Sequence, residues 1–165
     1  MKEEKPSVEP LLEAAADHLQ QNDVSRALFC YENAFDSGST DLRLWKGMAN
    51  CYFILGDFDR AARFWDCAQE LDPYDQEIQQ KQAMYHSPSF QSWMKRIREA
   101  VKNVEMKEYD KARDQLKHLL EEKEGVVSLY QILGLSHMAC SDPVSARRVW
   151  ERGLRYDISN AMLLK

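Results

Sequence analysis

From Leu42 to Asp75 the apolar positions fall into two helical faces separated by a turn. Trp45, Met48, Ala49 and Tyr52 recur at the i, i+3, i+4, i+7 spacing that lines one side of an α-helix, and Gly56-Asp57 ends that helix. Phe58, Ala61, Phe64, Trp65, Ala68 and Leu71 mark the apolar side of a second helix. Asp72-Pro73 stops it, because proline has no amide with which to continue the hydrogen-bond ladder. Helices joined by so short a turn pack antiparallel. One hairpin of this size cannot bury its own apolar side, so the pattern demands neighbours of the same kind.

Copies stand at a fixed spacing. Ala15, Ala27, Tyr31 and Ala34 precede Ala49, Ala61, Trp65 and Ala68 by one constant interval, marking a first hairpin over residues 8–41 with Ser39 where the second has Pro73. Tyr130, Leu133, Gly134, Ala146, Trp150, Gly153 and Tyr156 reproduce the pattern over residues 127–160, with Asp142-Pro143 opening the second helix. Ala112 and Leu116 mark a weaker copy over residues 93–126. The whole set resembles the tetratricopeptide repeat (TPR) family. That family repeats every ~34 residues, the interval that separates the copies here. Its pattern W-x2-L-G-x2-Y, A-x3-F, P reads here W-x2-M-A-x2-Y from Trp45 to Tyr52, then Ala61-x3-Trp65, Ala68 and Pro73. The resemblance implies an all-α fold, an α-solenoid of antiparallel helix hairpins.

The marker alanines stand at 27, 61, 112 and 146, so the middle interval is 51 residues, one and a half periods. Half a repeat is inserted. Residues 76–92 are expected to hold a lone linker helix, with Ser87 and Pro88 starting the next one. Repeats 1 and 2 then occupy residues 8–75 and repeats 3 (degenerate) and 4 residues 93–160, behind a charged tail over residues 1–7. In repeat 3, strict counting would bury Arg96 and Glu99, so that helix is expected to rotate by about one residue and keep the charges in water. Residues 161–165 are expected to start a C-terminal helix. Without a cover the last hairpin would leave Val149 and Leu154 in water, so a longer chain, a second copy or a partner is expected to cover that end.

Composition narrows the function classes. Cys30, Cys51, Cys67 and Cys140 are scattered along the helices without the clustering of a zinc site or a disulfide framework, and His18, His86, His118 and His137 are equally dispersed. Glycine-rich phosphate loops and nucleophile–base motifs are lacking, so the sequence points to no enzyme and calls for no metal or cofactor. Residues 1–10 are charged, hold two prolines and lack an apolar run, so neither a signal peptide nor a membrane anchor is expected there, and no later apolar run approaches membrane-spanning length, so a cytoplasmic protein is expected. Residues 1–75 hold 7 basic and 15 acidic side chains, net −8, whereas residues 76–165 hold 15 and 12, net +3. A total of −5, with the tryptophans committed to repeat cores, makes nucleic acid a poor partner.

A helical solenoid offers a rigid concave surface to an extended or helical segment of another protein. Helical geometry turns Arg43, Lys46, Asn50 and Phe53 away from the core face of the second repeat, and the same phase selects Leu12, Ala16 and Leu19 in the first and Gln131, Leu135 and Met138 in the last. In repeat 3 the rotated helix would offer Arg98 and Lys102. Lys46 and Asn50 resemble the lysine and asparagine with which chaperone-binding TPR members hold a peptide's terminal carboxylate, with Lys81 where those members carry asparagine. The resemblance implies an acidic segment or C-terminal carboxylate as ligand; the other reading is that Lys46 and Asn50 are simply solvated. The expected function is a non-catalytic protein-protein interaction module, an adaptor, scaffold or assembly factor. The alternatives are a small secretion-type chaperone with an apolar groove and a self-assembling scaffold. Trp65→Ala and Trp150→Ala are each expected to destabilise by about 3–5 kcal/mol, seen as a large fall in the thermal midpoint; parent-like melting of both would break the repeat phasing.

Overall fold

The computed structural model describes residues 7–164; the expected tail, apart from Ser7, and Lys165 lie outside the described residues. Among these residues there are nine α-helices and no strands: α1 Glu9–Gln20, α2 Val24–Asp36, α3 Leu42–Leu55, α4 Phe58–Leu71, α5 Gln76–Tyr85, α6 Pro88–Glu105, α7 Tyr109–Glu122, α8 Val127–Ala139 and α9 Pro143–Gly153. They pack as four antiparallel hairpins, α1–α2, α3–α4, α6–α7 and α8–α9, with α5 between the second and the third.

One turn closes all four hairpins. Asn22, Gly56, Lys107 and Ser141 are left-handed, with φ of 57°, 97°, 63° and 61°. The next amide in each case donates to the carbonyl five residues back: Asp23 to His18, Asp57 to Tyr52, Glu108 to Asn103 and Asp142 to His137, at 2.8–2.9 Å. These turns follow one another at one period, one and a half and one, as the marker alanines do. Gly56 is required on a second count, since a Cβ there would strike Ser128 and Val126. Aspartates 57 and 142 also cap the following helices by accepting from the amides of Arg60 and Ser145.

Ala27, Ala61, Ala112 and Ala146 are fully buried, and the small size of these positions lets the paired helices approach closely. Gly47 and Gly134 extend the same logic, since any side chain there would overlap the Tyr31 ring or the Trp150 indole. Trp65 is buried whereas Trp150 is half-buried and donates from its indole nitrogen to the Gln131 carbonyl at 3.3 Å.

The half repeat redirects the stack. In the first pair α2 packs along α3, and in the second α7 packs along α8, but α4 packs along α5. Ser87 caps α6 by accepting from the Phe90 amide, and Pro88 occupies its first turn, so α6 starts ahead of the expected repeat boundary at 93. Aromatic rings bridge the two pairs. Phe53 lies 5.3 Å from Phe58, 5.5 Å from Trp65 and 5.9 Å from Phe90, and Phe58 lies 5.8 Å from Trp93, all between ring centroids.

Arg96 and Glu99 stay in water, as expected for α6, and Ile97 packs half-buried against the core. Ala100 and Asn103 are buried, as are Gly134 and His137, their counterparts one repeat further on. Arg96 and Glu99 are exposed because no preceding helix covers that side of α6, α4 having been diverted onto α5. Arg96 makes a two-pronged ion pair with Glu122 of α7.

Beyond α9 the chain makes turns, and residues 161–163 are a turn where the start of a helix was expected. The Asn160 carbonyl accepts from the Leu163 and Leu164 amides, and its side chain accepts from the Met162 amide, so local bonds hold a single turn too short to propagate as a helix. Leu163 is buried beside Gly153 and Tyr130, and Val149 is buried too, so the chain itself covers much of the end that was expected to need a partner. The same segment fastens onto the first hairpin. Buried Asp157 accepts from the Ser25 amide at 2.9 Å, from the Ser25 hydroxyl and from Asn160 Nδ2 at 3.0 Å. The Ile158 amide donates to the Asn22 carbonyl at 3.0 Å, and the Ser159 hydroxyl donates to Asp23. Asp157→Ala is expected to lower stability by about 1–3 kcal/mol in urea unfolding, because it leaves the Ser25 amide without its acceptor. Hydrogen exchange at Ser25 and Ile158 should accelerate, and unchanged exchange there would show that this clasp holds nothing.

Candidate partner-binding groove

In α1 the spacing of Leu12, Ala16 and Leu19 sets three apolar residues along one side of the helix, and α3 lies beside them. Between the two helices runs a groove of about 340 Å³. Leu12, Ala16 and Leu19 form one wall, Lys46 and Asn50 the other, and the Tyr31 ring resting on Gly47 forms the floor. Burial pushes the Tyr31 hydroxyl up to about 12, so it stays neutral. Glu13 of α1 and Glu77 of α5 complete the rim.

The cations of this groove are already engaged. Arg43 binds Glu9 through two bonds of 2.7 and 2.8 Å and Asp41 through two of 3.1 and 2.8 Å. The Lys46 ammonium lies 2.9 Å from Asp75 and 2.7 Å from Glu77. Burial alone would lower the Lys46 pKa, but the hydrogen bonds it donates to Glu77 and Asp75 outweigh burial and raise the value. The bond from Lys46 holds Asp75 below the usual carboxylate range, and the bond from Arg43 does the same for Glu9. Asp75 also caps α5 by accepting from the Ile78 amide at 3.0 Å. The lysine and asparagine of the expected carboxylate clamp thus stand side by side, with the lysine held by the chain's own carboxylates.

The remaining expected groove residues do not line this cavity. Phe53 is packed in the aromatic junction, and the Lys81 ammonium sits 5.8 Å from the centre of its ring. Arg98 borders a separate hollow beside Asp57 and Asp59, and Lys102 another between α6 and α7. Gln131 donates to the Asn160 side chain at 3.0 Å, while Leu135 and Met138 are exposed on α8. The four cations Lys46, Lys81, Arg98 and Lys102 therefore do not converge. Sequence reasoning missed the carboxylates of the rim, although a signal existed: Glu9, Arg43 and Glu77 follow one another at the repeat period and so share one position in three successive first helices.

A hollow of about 450 Å³ lies between α6 and α7 around Arg96, Gln115 and Glu122. Arg96 and Gln115 occupy the repeat positions of Trp45 and Phe64, whose rings stack at 5.6 Å in the second hairpin. The hollow is therefore the gap left by that missing stack, bridged by an ion pair. Among the described residues no three histidine, cysteine or acidic side chains gather to hold a metal, and no helix is long and apolar enough to cross a membrane.

Comparison with known proteins agrees with this geometry. The sequence model of the tetratricopeptide repeat matches residues 42–75. The crystal structure of the P58(IPK) TPR domain superposes over 96% of this chain at 16% identity, with a TM-score of 0.54. Residues 42–75 are thus a tetratricopeptide repeat, and the chain around them has the helix-hairpin fold of such arrays. The chain spans 44% of the P58(IPK) TPR domain chain. YrrB, described as a TPR protein with an unusual peptide-binding site, aligns over 99% of this chain and 93% of its own at 16% identity and a TM-score of 0.43. MamA aligns over 94% and 75% at 15% identity and 0.42. No curated protein matches the sequence.

The Lys46 pairs make a prediction about the half repeat. Lys46→Glu would set a third carboxylate beside Asp75 and Glu77, loosening the cap of α5 at a cost on the order of 1 kcal/mol, as for other partly exposed charge pairs. Faster hydrogen exchange at Ile78 is the expected result, and parent-like exchange would show that the pairs do not hold α5. Because the folded pKa of Asp75 is depressed, its contribution is present in full above the ordinary carboxylate value of about 4. It fades as pH falls through the lowered folded value.

Proposed function

We propose that this chain is a non-catalytic protein-interaction module, an adaptor, scaffold or assembly factor, that binds a segment of a partner protein. One observation carries the reading: the groove between α1 and α3 combines an apolar wall with a polar rim on rigid helices. Pockets of this character take side chains of an extended or helical segment. Arg43, Lys46 and Asn50 border the segment directly under this reading. Phe53 and Lys81 support α3 from behind, and Arg98, Lys102 and Gln131 belong to the second repeat pair rather than to the groove. A cytoplasmic setting is supported by four cysteines held as free thiols, with burial raising Cys51 to about 12. A second reading, a secretion-type chaperone, is favoured only by exposed Leu135 and Met138, one helical turn apart on α8.

Site-specific photocrosslinking in extract of the source cell tests the module. A benzophenone side chain at exposed Glu13, on the rim, should give a discrete adduct that disappears when Asn50→Trp fills the groove. The same group at Arg63, on the solvent side of α4, should give none. Equal adducts from both positions, or a Glu13 adduct indifferent to Asn50→Trp, would remove the groove from the function.

A further inference from the structure

We infer that the groove between α1 and α3 takes a cationic amphipathic segment of a partner protein, with apolar side chains on Leu12, Ala16 and Leu19 and lysine or arginine at the rim. The inference rests on the groove being the binding site and names the chemistry of its ligand. It reverses the sequence-based expectation of an acidic or carboxylate-terminated peptide.

The reason is local charge. Five carboxylates, Glu9, Glu13, Asp41, Asp75 and Glu77, border or flank the groove, against two cations, Arg43 and Lys46. Each cation already bonds two carboxylates of its own chain. An incoming carboxylate would have to displace Asp75 or Glu77 from Lys46, and the displaced group would stay within the same negative rim. Displacing Asp75 would also disturb the cap of α5. An incoming ammonium or guanidinium displaces nothing, because an ionised carboxylate has acceptor sites to spare beyond one or two bonds. The wider field acts in the same direction: residues 1–75 carry a net −8, which draws cationic segments toward this half of the molecule. The apolar wall supplies the second requirement, since a uniformly charged segment would leave exposed Ala16 and the open side of half-buried Leu19 without apolar cover.

Fluorescence anisotropy with two labelled helical peptides of equal length tests the inference. Both carry leucine at i, i+3, i+4 and i+7; one has lysine and the other glutamate at the intervening positions. The leucine–lysine peptide is expected to bind at least about tenfold more tightly, with affinity falling as salt rises. Glu13→Gln combined with Glu77→Gln should weaken it by about tenfold, the scale of lost charge-assisted contacts. Glu70→Gln combined with Asp36→Asn, the same charge change at exposed positions away from the groove, should change it less than about twofold. Equal effects of the two double variants would overturn the inference, leaving general attraction to an acidic surface. Preference for the leucine–glutamate peptide, or binding of neither, would overturn it as well. Ala16→Trp separates the two levels. If the leucine–glutamate peptide binds and Ala16→Trp blocks it, the groove stands and its charge preference falls. If the leucine–lysine peptide binds and Ala16→Trp leaves it unaffected, the groove itself falls.

Discussion

Phe53 sits where two short helical stacks meet, and the arrangement of the molecule depends on what its ring touches. It contacts Phe58 and Trp65 from its own hairpin and Phe90 from the first turn of α6. Aromatic pairs of this kind contribute about 0.5–1.5 kcal/mol each beyond the area they bury. Phe53, Met84 and Tyr85 pack against the cores of both halves, so the halves share a boundary layer rather than a linker. The clasp at Asp157 closes the opposite end of that boundary, tying the last turn of the chain to the first hairpin. A repeat array ordinarily holds only neighbour to neighbour. Here the first and fourth repeats also touch.

The half repeat explains why one hairpin departs from the pattern of the others. By drawing α4 onto itself, α5 leaves the leading side of α6–α7 without a covering helix. An uncovered side must be compatible with water, and the positions that hold Trp45, Met48 and Phe64 in repeat 2 accordingly hold Arg96, Glu99 and Gln115 in repeat 3. What reads as degeneracy is the composition of a capping surface set inside the chain.

The same helix shapes the groove. Asp75 starts α5 and Glu77 lies in its first turn, and both reach the Lys46 ammonium. A residue that would be an exposed cation in an isolated hairpin becomes an internal tie between α3 and α5. The groove thereby keeps its apolar wall while its rim turns acidic.

The helical periods, the hairpin pairing, the repeat register and the half-repeat insertion all follow from the sequence, because each depends on local spacing and on the small residues at 27, 61, 112 and 146. Register alone also placed Leu12, Ala16, Leu19, Lys46 and Asn50 on one concave face. Tertiary structure decided which exposed positions stay exposed. Phe53 packed into the aromatic junction, Arg96 found Glu122 on α7, and Lys46 found its partners on the far side of the α4 hairpin, at Asp75 and Glu77. The physical reason is common to these cases. A repeat pattern specifies what each helix presents, but the angle at an interrupted stack sets what it meets, and that angle comes from aromatic packing and charge pairing between segments distant in the chain.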